Sequence, residues 1–189
     1  YKVENQSYIH YGKGAVILYA LQDYIGEEKV NRAMQGFLEE YKYRPPPYPN
    51  SLDFMKYLEK EVPDSLQYLI TDWVKEITLY DNRMKSAAYT PLENGKFEII
   101  LEIECHKIRA DSLGNETKIA IHDWIDIGVF TDEDEEQLHY QKRVLIDKEQ
   151  MSFTFEVDSL PMRAAIDPRM LLIDRIYDDN IKDVKISRL

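Results

Sequence analysis

Up to about residue 76 the apolar positions recur with helical spacing. Residues 15 to 25 (AVILYALQDYI) are apolar almost all round, which predicts a buried helix. Gly26 follows where a glycine C′ residue ends a helix. Val30, Ala33, Met34, Phe37, Leu38 and Tyr41 then fall at i, i+3, i+4, i+7, i+8 and i+11, the stripe of an amphipathic helix. The run from Arg44 through Pro45, Pro46, Pro47 and Tyr48 to Pro49 cannot continue it, because proline lacks the amide and clashes with the preceding turn. Ser51 is the expected N-cap of a short helix carrying Leu52, Met55 and Leu58. Asp64 or Ser65 is expected to cap a fourth, with Leu66, Leu69, Ile70, Trp73 and Val74 on one face.

From residue 77 the period drops to two. Phe97, Ile99, Leu101, Ile103 and Cys105 alternate with Glu98, Glu102 and Glu104, the signature of a half-buried strand. Glu93-Asn94-Gly95-Lys96 predicts a hairpin with a type I′ turn, since Asn-Gly accepts positive φ. Asp111 to Asn115 reads as another turn. Residues 117 to 130 alternate as one run, with Ile119, Ile121, Asp123, Ile125 and Ile127 on one face. Residues 138 to 146 and 151 to 157 are further strands. The expected architecture is α+β: an N-terminal helical bundle over residues 1–76, then an antiparallel β-sandwich over residues 77–189.

Composition narrows the function classes. The 189 residues carry 24 Lys and Arg against 35 Asp and Glu, a net charge of −11. Residues 1–76 hold 9 basic and 12 acidic side chains and residues 77–189 hold 15 and 23, so the acidity sits mainly in the β part, with a cluster at Asp132–Glu136. Such a surface repels nucleic-acid phosphate and anionic lipid, so no nucleic-acid partner is expected. The single cysteine, Cys105, excludes an internal disulfide framework and a Cys-rich zinc site. No run approaches the roughly 18 apolar residues of a membrane span. With no initial Met and no signal peptide, the chain reads as a portion of a longer polypeptide, and the compartment stays open.

Candidate chemistry is sparse. None of His10, His106, His122 and His139 has a second histidine at i+4, so no helix presents paired imidazoles to a metal. Cys105 and His106 are strand neighbours and point to opposite faces. No G-x-S-x-G elbow occurs, and Cys105 is expected to be a small buried core residue rather than a nucleophile. Gly12-Lys13-Gly14 is too short to cradle phosphate, and the acidic run lacks the alternating ligands and central glycine of a calcium loop. What remains is the segment Tyr8 to Ala15, placed directly before the most apolar helix. Its glycines permit close backbone approach, and Tyr11 offers either a phenol that donates to a developing oxyanion or simple packing at a helix start.

Tyr11-Gly12-Lys13-Gly14-Ala15, followed by an apolar helix, then Gly26-Glu27-Glu28 and an amphipathic helix ending in Phe37-Leu38, resembles the M1 family of zinc aminopeptidases, the gluzincins. Ser51-Leu52-Asp53-Phe54 resembles the opening of a later helix in that family. Ala165-Ile166-Asp167-Pro168 before Leu171-Leu172 resembles a strand near the end of its β-sandwich. The resemblance implies that residues 1–76 are the helical end of a thermolysin-like catalytic domain. It implies that Tyr11 is the catalytic tyrosine that hydrogen-bonds the tetrahedral intermediate opposite zinc, with a peptide as substrate of the intact protein. The family's HExxH, its downstream zinc-binding Glu and its amine-binding Gly-x-Met-Glu-Asn segment all precede that tyrosine and are absent here. The expectation is therefore a fragment that is inactive alone, with zinc and the general base held elsewhere in a longer protein. In some bacteria such segments follow a membrane permease region, so membrane association of the longer protein is part of the expectation. A homodimer, or an exposed apolar patch around Ala15 to Leu21, is expected if a neighbouring wall is missing. The alternative is a non-catalytic module whose acidic surface, with 14 tyrosines in the chain, binds a protein or glycan.

Overall fold

The structure is a computed structural model that describes the backbone of residues 8–187, with side chains from Tyr11 onward. It divides into two compact units, Tyr1–Ile77 and Thr78–Leu189. The first is helical and the second is built from two β-sheets, an α+β architecture.

In the helical unit a π-helical turn, Tyr8–Lys13, leads into α1 (Gly14–Ile25). Gly26, at φ +93°, ends α1, where a side chain would be strained, and its N–H donates to Gln22 O. α2 (Glu27–Tyr41) follows, and its buried Val30 and Ala33 belong to the expected stripe. α3 is Ser51–Glu61, but its cap is Asn50 rather than Ser51. The Asn50 side chain accepts from Leu52 N at 2.8 Å, and Asp53 returns the contact to Asn50 N at 3.1 Å. This reciprocal capping box needs an acid three positions after the cap, and Asp53 stands there only for Asn50. The fourth helical segment is irregular: a 3-10 turn Asp64–Leu66, a single turn α4 (Gln67–Leu69) and a π-helical turn Ile70–Lys75. Leu69, Ile70 and Trp73 are buried, as the spacing predicts.

α1 is not the fully buried helix its composition predicts, and it exposes apolar side chains within the Ala15 to Leu21 stretch. Ile17, Ala20, Leu21 and Ile25 are buried, but Ala15, Val16 and Tyr19 are exposed, Tyr19 to 54%. The helix is apolar all round and covered on one side.

The second unit begins with the long hairpin β1 (Ile77–Pro91) and β2 (Phe97–Ala110). Of Asn94 and Gly95 only the glycine lies at positive φ, +81°, so the turn is not type I′. Asn94 instead accepts Lys96 N at 3.0 Å and fixes the turn through its side chain. β3 (Glu116–Ile119) and β6 (Gln150–Val157) pair antiparallel with successive halves of β2, and β9 (Lys185–Ile186) pairs parallel with β1. The second sheet runs β5 (Leu138–Ile146), β4 (Asp123–Phe130), β7 (Arg163–Ile166), β8 (Ile181–Asp183).

The alternating run 117–130 is thus two strands in two sheets. Alternation cannot register this switch, because Ile121, Asp123, Ile125 and Ile127 stay on the buried side across the break. Ile99, Leu101, Ile103 and Cys105 of β2 and Ile125, Ile127 and Val129 of β4 are buried core residues of the unit. Tyr140 and Phe155 stack across the sheets with centroids 4.3 Å apart. The inward faces also carry charge: Lys107 Nζ donates to Asp123 Oδ1 at 2.8 Å, both residues buried.

Candidate functional site

The helical unit holds an apolar groove of about 620 Å³, lined among others by Tyr11, Lys13, Ile17, Met55, Leu58 and Trp73. Local sequence builds each wall. The π-helical turn ahead of α1 widens the backbone spiral, a distortion often found at functional sites, and it puts both Tyr11 and Lys13 on the groove. Tyr11 is 79% exposed. Lys13 is half-buried, and its Nζ donates to Glu76 O at 3.1 Å, tying the turn to the end of the irregular fourth helix. Burial lowers the Lys13 amine below its ordinary value, and no carboxylate contributes to the shift.

α3 forms the opposite wall. Its capping box sets the start of the helix, from which Ser51, Phe54 and Met55 reach the groove. Arg32 of α2 pairs with Glu61 at 2.8 Å, and Lys75 pairs with Glu59 at 2.7 Å, so α3 is held from two sides. Gly36 lets α2 approach closely, since a Cβ there would lie 3.0 Å from the Tyr57 ring. The floor is Trp73, whose ring meets Tyr24 edge-on at 5.1 Å.

Such a site can seat an apolar group while one phenol, one ammonium and the Ser51 hydroxyl supply direction. The sequence assigns a role to Tyr11 and none to Lys13, which enters only as part of the Gly12–Gly14 stretch and of the motif that carries the resemblance. The available signal was its place two residues after Tyr11 in the same turn.

The other candidates lie apart from the groove. Cys105 is fully buried in β2, and burial pushes its thiol up, away from nucleophilic character. His106 sits between Glu104 (3.3 Å) and Glu149 (3.6 Å), His139 meets Asp158 at 2.5 Å, and His122 is exposed. The His10 side chain lies outside the described residues. In the acidic run, Asp132 accepts the backbone N–H groups of Glu136 and Gln137, and Glu135 pairs with Arg163, so the carboxylates close their own loop. Among the described residues no group of three or more His, Cys, Asp and Glu side chains is arranged to hold a metal ion. No described helix is long and apolar enough to cross a membrane.

The chain shows likenesses to known proteins. Over 66 residues, 35% of its length, the chain is 35% identical to probable aminopeptidase 2 of Sulfurisphaera tokodaii, of which it covers 8%. Among solved structures it is similar to Legionella pneumophila aminopeptidase A in complex with aspartic acid, with a TM-score of 0.49 and 16% identity, covering 90% of this chain and 18% of that one. The chain therefore spans less than a fifth of either protein. No family model matches it.

Proposed function

We propose that this chain is the C-terminal portion of a zinc-dependent aminopeptidase-like protein of the M1 type. Residues 1–76 would end its catalytic domain and residues 77–189 form the sandwich behind it. The observation that carries the reading is Tyr11, solvent-exposed on a π-helical turn and bordering an apolar groove. The partial sequence likeness to a protein named as a probable aminopeptidase supports it.

The chemistry follows from what a phenol does. Its O–H is a neutral donor, and a carbonyl oxygen gains charge as an amide is attacked. A donor fixed where that charge develops binds the transition state more strongly than the ground state, which is the condition for rate enhancement. The tether from Lys13 to the Glu76 carbonyl holds the backbone that carries Tyr11. The residues of this chain do not fit a zinc ion, since neither HExxH nor a described donor cluster is present. Metal and general base belong, on this reading, to the remainder of the longer protein, and this chain alone does not hydrolyse peptides.

The test is hydrolysis of aminoacyl-p-nitroanilides by the full-length protein and its Tyr11→Phe form. Loss of one oxyanion donor is expected to lower kcat by on the order of 10²–10³ with little change in KM. A full-length protein that binds no zinc, and whose Tyr11→Phe form behaves as the parent does, would end the enzymatic reading.

A further inference from the structure

A half-buried ammonium at the edge of an apolar groove is a place where an anion can be held, and the described residues supply Lys13 with only a neutral partner. Its Nζ has three N–H donors and uses one on the Glu76 carbonyl. Burial acts on it with no opposing carboxylate, although acidic residues outnumber basic ones in the chain 35 to 24. Two other lysines of the same unit do meet a carboxylate, Lys56 with Asp53 at 2.8 Å and Lys75 with Glu59 at 2.7 Å. Beside Lys13 the groove offers Ile17, Leu18, Met55, Leu58 and Trp73, side chains that take an aliphatic or aromatic group and offer almost nothing to a polar one. Its volume of about 620 Å³ suits a ligand of one or two residues.

We propose that the groove binds the C-terminal residue of a short peptide, with its apolar side chain against Leu58 and Trp73 and its free carboxylate on the Lys13 ammonium. The identity of the ligand as a peptide rests on the peptidase-fragment reading, while the binding rests on the groove alone. The complementarity is local. At a net charge of −11 the chain as a whole repels a carboxylate, so only a cation placed beside the apolar surface can hold one there. Removal of an ammonium–carboxylate contact at a partly dry site weakens binding about tenfold or more. A peptide whose carboxylate is blocked as an amide loses the same contact. The site therefore favours short peptides with a free, apolar C-terminal residue over longer chains that carry only amide groups past the groove.

The test uses the 189-residue chain with N-acetyl-L-phenylalanine and N-acetyl-L-phenylalaninamide as probes, titrated by protein-detected NMR with the Trp73 indole as reporter. The acid is expected to bind about tenfold more tightly than the amide. That preference should vanish in Lys13→Met and persist in Lys13→Arg. Ala15→Trp, which fills the groove from an exposed position, should weaken both probes. Equal affinity for acid and amide, an acid preference that survives Lys13→Met, or the absence of saturable binding overturns the proposal. The wild-type comparison decides even where Lys13→Met fails to fold. Peptide hydrolysis by the full-length protein without an acid preference would refute the anchor and leave the peptidase reading intact. An acid preference without hydrolysis would do the reverse.

Discussion

Breaking the Lys107–Asp123 pair should destabilise the β unit far more than removing it whole. The two side chains are 6% and 3% exposed and lie 2.8 Å apart, and Lys107 Nζ also sits 5.9 Å above the centre of the Tyr80 ring. At an effective dielectric near 20 the attraction at that distance is about 6 kcal/mol. Taking both ions out of water costs several kcal/mol each, so the two terms nearly cancel. The intact pair then contributes little net stability, but loss of one ion removes the attraction and leaves the burial cost of the other. Asp123→Asn takes away a buried carboxylate 2.8 Å from the Lys107 ammonium and is expected to cost about 3–5 kcal/mol. The double variant Lys107→Met with Asp123→Val places two apolar side chains on inward faces already occupied by Ile103, Cys105, Ile125 and Ile127. It is expected to cost less than about 1.5 kcal/mol, or to stabilise.

Urea unfolding followed by Trp124 fluorescence and by β-sheet circular dichroism reads this directly. With an m-value of about 2 kcal/mol/M, Asp123→Asn should lower the midpoint by about 2 M, while the double variant stays close to the parent. If the single variant costs under about 1 kcal/mol, or the double variant costs as much as the single, the argument from burial fails.

Two further predictions concern the loop after β7. Asp167 is buried, and its carboxylate accepts Leu171 N at 3.0 Å and Leu172 N at 2.9 Å, while burial pushes its pKa up to about 7. A carboxyl held more basic in the native state stabilises most below its unfolded value near 4, and that contribution is lost as pH rises to about 7. The parent should therefore lose stability between pH 4 and 7, and in Asp167→Asn, destabilised by about 1–3 kcal/mol at low pH through one lost acceptor, the gap should narrow over that range. Parallel pH slopes in the two proteins would contradict this. Gly128→Ala sets a Cβ 2.7 Å from Leu138 Cδ1 and 2.9 Å from Pro168 Cγ. The leucine can turn away but the proline ring cannot, so a cost of about 1–3 kcal/mol is expected in thermal unfolding, and an unchanged melting temperature would count against it.

The periodicities located the helices and the strands because each rests on local physics: a stripe for a helix face, alternation for a half-buried strand. They missed what depends on partners far along the chain. Asp123 is legible as a charge on an apolar face, yet the apolar alternation of β2 ends at Cys105, and its answer, Lys107, stands two residues beyond on the same inward face. The break between β3 and β4 leaves no mark in the alternation. The α3 cap was misplaced by one residue because Ser51 and Asn50 are both good caps, and only Asp53 decides between them. Of the groove, Tyr11 was legible through its motif, while the tether from Lys13 to Glu76 joins residues 63 apart and is a property of the fold.

That tether gives one turn two separable tasks. As a neutral amine Lys13 still has N–H groups to donate to the Glu76 carbonyl, so the backbone under Tyr11 keeps its support whether or not the amine is charged. Attraction for a carboxylate needs the proton. Burial lowers the pH at which that proton leaves, with no carboxylate to oppose it, so anion binding in the groove fades on the alkaline side sooner than for an exposed lysine. The orientation of the phenol does not fade with it. Raised pH should therefore loosen the hold on a free C-terminal carboxylate while the hydrogen bond that supports the turn persists, and titrating the acid probe against pH would show the affinity falling.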